Sequence, residues 1–282
     1  MKESFDSRIR TAARLLSGAE YVLIGGGAGL SAAAGLTYAG KRFTDNFSDF
    51  IARYGLSDMY TAGFYPFPTQ EEKWAYWSRH ILVNRFEPPA LPVYTDLFGL
   101  VKDRDYFVLT TNVDGQFGKA GFAADRVFAV QGDYGQIQCA RGCHDSLYDD
   151  EGLVRRMAAG QKDGRIPAAL VPVCPVCGGP MEVHIRKDEY FVEDEAWHAS
   201  SRRFEAFVQR ADKAPAVLFE LGVGFNTPTI IRFPFERLAF SRPRTRLIRV
   251  NTDCPDALKE NAHKTLSFGE DIGAVLSALQ QA

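Results

Sequence analysis

With 282 residues the chain can bury one substantial core, as one large domain or two unequal ones. Its 46% hydrophobic, 24% charged and 12% aromatic residues describe a folded globular protein and exclude a disordered one. A formal net charge of −2 without a long basic run argues against nucleic acid as the main partner. No stretch approaches the roughly 18 consecutive apolar residues of a membrane span, and the N-terminus lacks a signal peptide's apolar region, so the cytoplasm is the expected compartment.

Taken in order, Ile9, Ala12, Ala13, Leu15 and Leu16 form an approximate helical stripe that leads into the first strand. Tyr21 to Leu36, YVLIGGGAGLSAAAGL, then reads as a buried strand, a tight glycine turn and a helix N-terminus. Glycine lets a backbone approach a ligand closely, and unpaired N–H groups at a helix start favour a diphosphate, although tight packing alone also produces such turns. From Thr37 to about 90 the chain is aromatic-rich and reads as a helical insertion, with Trp74, Trp77, Ile81 and Leu82 on one helix face as a small satellite core. EPPALP at 87–92 closes the insertion, and VYTDLFGLVKDR follows as an amphipathic helix. Tyr106 to Thr110 is a second buried strand ending in Thr111-Asn112-Val113-Asp114-Gly115-Gln116, and Val127 to Val130 a third ending in Gln131-Gly132-Asp133. These polar ends lie where a parallel strand delivers side chains to a ligand crevice.

Four of the five cysteines cluster: Cys139-x3-Cys143, then thirty intervening residues, then Cys174-x2-Cys177. Two such knuckles describe a structural zinc ribbon, because four thiolates fill a tetrahedral Zn²⁺ shell and leave no open position for catalysis. His144 beside Cys143 could replace a cysteine as ligand but is expected to be a solvent-facing neighbour, and Cys254 a small buried residue. EVHIRKDEYFVEDEAW reads as an exposed strand and loop. Arg202 to Ala211 is helical, Ala216 to Gly224 and Thr245 to Asn251 are buried strands, and a helix carrying Ile272, Val275, Leu276 and Leu279 closes the chain. The expected fold is α/β, a doubly wound Rossmann-like parallel sheet with a smaller lobe made of the helical insertion and the zinc ribbon. Residues 1–36, 91–135 and 202–282 would form the large domain, and 37–90 with 136–201 the small one.

The order of these motifs resembles the sirtuin family of NAD-dependent enzymes over nearly the whole chain. Gly27-Ala28-Gly29-Leu30-Ser31 with Gly35-Leu36 looks like its phosphate loop, Thr111-Asn112-Val113-Asp114 like its nicotinamide-pocket motif, and Gln131-Gly132 stands where its His-Gly pair would be. The resemblance implies NAD contacts at Gly27, Ala28, Gly29, Ser31, Leu36, Tyr38, Asn112, Val113, Asp114 and Gln131, and at Gly222, Val223, Gly224, Asn251, Asp271 and Ile272 toward the adenosine. It departs from the family pattern at Thr37-Tyr38-Ala39-Gly40, in the longer first knuckle, and in HIRKDEYFV, where the family has an apolar peptide-pairing strand.

The largest departure is Gln131. A carboxamide orients a ribose hydroxyl but cannot take its proton, which deacylation requires. This variant set resembles the microbial macrodomain-linked sirtuins, which implies protein mono-ADP-ribosylation from NAD. It further implies, as partners, a lipoylated carrier related to the glycine-cleavage H protein as acceptor and a macrodomain ADP-ribose hydrolase. Asn112 would position the ribose hydroxyls or a water, Asp114 the nicotinamide amide, and Arg186, on the altered strand, would be a catalytic cation facing the cleft. Two alternatives stay open: a deacylase in which His144 or His184 replaces the missing base, and an NAD or ADP-ribose sensor without turnover.

Overall fold

The long apolar runs become the middle of the molecule. The computed structural model describes residues 3–282. In chain order the elements are α1 (Phe5–Gly18), β1 (Tyr21–Gly26), α2 (Ala28–Ala33), α3 (Lys41–Tyr54), α4 (Met59–Ala62), α5 (Gln70–Ile81), a π-helical turn over Leu82–Phe86 and α6 (Pro92–Val101). There follow β2 (Asp105–Thr110), α7 (Gln116–Lys119), β3 (Val127–Ala129), β4 (Gly132–Cys139), β5 (Tyr148–Asp149), α8 (Glu151–Ala159) and β6 (Met181–Ile185). The chain closes with α9 (Glu195–Arg210), β7 (Ala216–Leu221), α10 (Arg232–Ser241), β8 (Thr245–Val250), β9 (Thr265–Phe268) and α11 (Ile272–Gln280).

Six strands form a parallel sheet in the order β3-β2-β1-β7-β8-β9. One apolar layer, with Leu16, Leu97 and Leu276, packs α1, α6 and α11 on one face; another, with Phe207 and Phe235, packs α9 and α10 on the opposite face. Helices on both faces bury every residue of β7 and all but the first of β1, which is why these strands are apolar except for Glu220, a buried acid in β7. Strand order reverses between β1 and β7, so the crevice beyond their C-terminal ends is where this architecture binds ligands.

β4, β5 and β6 make a separate antiparallel sheet. It shares a second core with α3, α4, α5 and α8, built around Phe47, Trp74, Tyr76 and Met157. Among the described residues no helix is long and apolar enough to cross a membrane.

Two local expectations are corrected. α5 is buried on more than one face: Ala75, Tyr76, Ser78 and His80 are as enclosed as Trp74 and Ile81. Tyr76 Oη donates to the Met59 carbonyl at 3.0 Å and lies 3.0 Å from His80 Nδ1, whereas Trp74 Nε1 and His80 Nε2 are buried without a protein partner. β6, expected to be exposed, is buried against β4, and its Glu182 is neutralised by Lys73 at 2.7 Å and Lys187 at 2.5 Å.

Candidate active site

The glycine turn is shaped by packing from both sides. A Cβ on Gly25 would lie 2.6 Å from Ile231, one on Gly26 2.8 Å from Phe117, and one on Gly27 or Gly29 2.6–2.7 Å from the backbone of Gly222 and Val223. Gly222, at φ +62°, returns the contact. Three amides of the turn are already used: Gly27 N–H donates to Leu221, Gly29 N–H to Gly222 and Leu30 N–H to Gly27. The glycines therefore let two loops of the switch point meet, in addition to whatever ligand they face.

Above this turn lies a cleft of about 480 Å³ between the parallel sheet and the smaller lobe. One side carries Ala28, Gly29, Ser31, Asn112, Asp114, Asn226 and Thr227; the other is largely apolar, with Met59, Tyr60, Phe64, Trp77 and Ile185, beside the cations Arg186 and Lys187. Of the residues singled out in the sequence, Ala28, Gly29, Ser31, Leu36, Tyr38, Asn112, Val113, Asp114, Gln131 and Arg186 line it.

A directed chain of hydrogen bonds fixes the polar side. Ser31 Oγ donates to Asp114 Oδ2 at 2.5 Å and lies 2.9 Å from Tyr94 Oη. The carboxylate takes the only serine hydrogen, so Tyr94 must donate to Ser31. Tyr94 Oη in turn accepts from Asn112 Nδ2 at 3.2 Å, and the same nitrogen donates to the Gly27 carbonyl at 2.9 Å. Both amide hydrogens of Asn112 are thus engaged, and Oδ1 is the atom left for a ligand. Asp114 Oδ1 accepts from Gln116 N–H at 3.0 Å. Burial raises the Asp114 carboxyl above its ordinary range, against the opposing bonds from Ser31 and Gln116.

Gln131 enters from the loop between β3 and β4. Its backbone carbonyl accepts from Arg186 N–H at 2.9 Å, while its Oε1 is buried and meets no donor of the protein. Arg186 stacks over Phe191, 4.2 Å from the ring centre, and pairs with Glu193 at 2.5 Å. It is held by its own segment and is among the residues that line the cleft.

Other predicted positions lie outside the cleft lining. Gly27, Gly222, Val223 and Gly224 build the loops beneath it. Asn251 holds those loops together, donating to the Val223 carbonyl at 2.9 Å and accepting from Asp253 and Cys254 N–H at 3.0 and 2.9 Å. Asp271 caps α11 by accepting from Ala274 N–H at 3.0 Å, and the Ile272 side chain is buried in the core. None of the five histidines lines the cleft. His144 is half-buried at the cysteine cluster, 3.1 Å from Cys143 Sγ, which corrects its expected solvent-facing position; His184 is buried, 2.9 Å from the Val192 carbonyl. His80 is enclosed behind Tyr38, Trp77 and Tyr134, and burial pushes its imidazole down to about 3.

Sequence reasoning missed Tyr94, Tyr134, Met59, Tyr60, Phe64, Asn226 and Thr227. Tyr94 reads as a core aromatic on an amphipathic helix, and only its hydroxyl contacts mark it. Asn226 and Thr227 follow Gly222-Val223-Gly224 so closely that the polar pair was the available signal.

The cysteine cluster forms as expected. The Cys139, Cys143, Cys174 and Cys177 sulfurs all lie within 4.8 Å of one another, with pairs at 3.7 and 3.6 Å. A tetrahedron with Zn–S bonds of about 2.3 Å has S···S edges of about 3.8 Å, so the cluster fits Zn²⁺ with a complete protein shell.

No family model matches the chain. A protein ADP-ribosyltransferase of Staphylococcus aureus strain Mu50 is 36% identical over 263 residues, covering 92% of this chain and 82% of that protein. A probable bifunctional ADP-ribose hydrolase/ADP-ribosyltransferase of Fusarium oxysporum f. sp. cubense is 33% identical over 94% of this chain, which spans 46% of that longer protein. Among solved structures, one described as the structural basis of sirtuin substrate affinity has a TM-score of 0.61 at 15% identity over 96% of this chain and 98% of its own. A Sir2 homolog–NAD complex has a TM-score of 0.59 at 16% identity, over 96% and 93%. The structures establish the fold and the Staphylococcus relative the family: the chain belongs to the sirtuin-family protein ADP-ribosyltransferases.

Proposed function

We infer that this protein cleaves the nicotinamide–ribose bond of NAD and transfers ADP-ribose to a protein acceptor. The observation that carries the reading is Gln131: a buried carboxamide oxygen with no protein partner, beside a cleft that no histidine lines. Such an oxygen accepts a ribose hydroxyl hydrogen without being able to remove the proton. NAD lies over the Gly27–Gly29 turn, with its ribose between Asn112 Oδ1 and Gln131 and its nicotinamide amide toward Asp114. The C1′–N bond breaks with its electron pair going to nicotinamide. A lone pair of the acceptor forms the new bond to C1′, and the acceptor's proton passes to solvent. Arg186 is the proposed functional cation of the small-lobe wall, next to Lys187, which pairs with Glu182, and the apolar residues of that wall exclude water from the oxocarbenium-like transition state.

Zinc at the four cysteines is structural, binding the small lobe (37–90 and 136–201) that supplies one wall of the cleft to the larger domain. The acceptor that fits the apolar side is a lipoylated carrier protein, and a macrodomain hydrolase is the partner that would remove the mark. The bifunctional name of the Fusarium relative supports that pairing. The cytoplasm is the compartment consistent with four reduced, metal-binding cysteines. The test is transfer of label from adenine-labelled NAD to a lipoylated carrier by wild type, Asn112→Ala, Gln131→Ala and Arg186→Ala. Label on the carrier with wild type and loss in each variant supports the reading; binding of NAD without nicotinamide release sinks it.

A further inference from the structure

The π-helical turn after α5 has a target. Asn84, fully buried within it, donates to the His80 carbonyl at 2.9 Å and accepts from Arg42 at 2.9 Å, and Glu87 N–H closes the wide turn on the Leu82 carbonyl at 2.9 Å. The extra residue of a π-turn re-aims the side chains that follow, and such turns concentrate at functional sites. Here it aims Arg85. The guanidinium forks onto Asp133, Nε to Oδ1 at 2.7 Å and Nη2 to Oδ2 at 3.2 Å. Its other face lies on Gly115, where a Cβ would come within 2.3 Å of Arg85 Cζ. Gly115, at φ +68°, directly follows Asp114, and Asp133 stands two residues after Gln131. Lys119 holds the Arg85 carbonyl, and Tyr134 N–H donates to the Val113 carbonyl at 2.9 Å, so the two segments are joined where Arg85 crosses them.

We propose that Arg85 is a positioning residue: it sets the spacing between the Asn112–Asp114 segment and Gln131 without itself lining the cleft. This rests on the functional reading above. A bidentate guanidinium–carboxylate pair fixes both distance and orientation, which a lysine's point charge does not. The φ of +68° at Gly115 favours glycine, and the absence of a Cβ leaves the space that the guanidinium occupies.

The experiment compares Arg85→Ala and Arg85→Lys with wild type in kcat and KM for NAD, melting temperature, and rescue by methylguanidinium. Expected for Arg85→Ala is a fall in kcat of about 10²-fold, the cost of misplacing reacting groups by about 1 Å, with KM within a few-fold. Methylguanidinium should restore at least about a tenth of the lost rate, whereas Arg85→Lys, despite its charge, should stay impaired. An unchanged kcat, or a loss that methylguanidinium does not relieve, overturns the proposal. A second readout does not need turnover: the side-chain amide resonance of Gln131, in glutamine-labelled protein, should shift or broaden in Arg85→Ala. A resonance superimposable on wild type overturns the positioning role. Failure of wild type to release nicotinamide would instead sink the functional reading and leave the resonance to decide on Arg85.

Discussion

Ser31 Oγ donates to Asp114 Oδ2 at 2.5 Å, joining the glycine turn that follows β1 to the polar end of β2. The two residues are 83 positions apart and both are buried. A hydroxyl-to-carboxylate bond of this length is charge-assisted, so it ties the proposed phosphate side of the cleft to its nicotinamide side.

Replacing Ser31 by Ala leaves a buried carboxylate oxygen without its donor, at a cost of about 1–3 kcal/mol. Asp114→Asn should lower kcat/KM for NAD about 10²-fold. Because burial raises the Asp114 carboxyl, its ionised form is present above that raised value and is lost as pH falls through it. Wild-type kcat/KM should therefore decline at a pH above the ordinary carboxylate range, and Asp114→Asn should lack that limb. A pH–rate profile of the two proteins checks both statements.

Asp150 gives a stability test in the small lobe. Fully buried, with neither oxygen hydrogen-bonded, it is pushed up to about 8 by burial and by neighbouring Asp133, against the opposing Arg85. The folded protein binds this proton more tightly than the unfolded chain, so the stabilisation is complete below the ordinary value of 3.8 and is lost as pH rises to about 8. Asp150→Asn should flatten that decline and raise the melting temperature at pH 8 relative to wild type. Calorimetry from pH 5 to 9 should show the two melting curves diverging as pH rises; parallel curves would contradict it.

The four-cysteine site should hold one Zn²⁺ per chain. Removing the metal, or Cys174→Ser, should lower the melting temperature and weaken NAD binding together, because β6 leads directly into Arg186, whose N–H holds the Gln131 carbonyl. Metal analysis beside NAD titration checks this. Unchanged NAD affinity in the metal-free protein would show that the cleft wall does not depend on the metal.

Glu220 and Arg249 are both fully enclosed on neighbouring strands, forked at 2.6 and 3.1 Å, and Arg249 also reaches Glu236 at 2.7 Å. Glu220→Gln should cost about 3–5 kcal/mol, since it leaves buried guanidinium charge undercompensated. Denaturant unfolding measures it.

The large domain was legible because strands buried on both faces are apolar runs, as in Tyr21–Gly26 and, broken only by Glu220, Ala216–Leu221. The metal site was legible because its ligands come as two short-spaced pairs. Asn112, Asp114 and Gln131 stood out as polar ends of apolar strands. What stayed hidden depends on contacts distant in sequence. Arg249 looks like an outward-facing residue until Glu220 is placed on the next strand. Glu182 looks exposed until Lys73 arrives from α5. Tyr94 looks like core, and its hydroxyl becomes informative only between Ser31 and Asn112. Asp271 caps α11 and the Ile272 side chain is buried, structural roles that their place in the motif order does not reveal.

The central claim is that a cleft with Gln131 in place of a base transfers ADP-ribose and does not complete deacylation. The direct measurement is product partition in one reaction: wild-type protein, NAD labelled in the adenine, a lipoylated carrier and an acetyl-lysine peptide, followed by mass spectrometry of both. The expected result is nicotinamide release matched by ADP-ribose bound covalently to the carrier, with the peptide still acetylated. Nicotinamide release matched by deacetylated peptide and O-acetyl-ADP-ribose, with no label on protein, would contradict it.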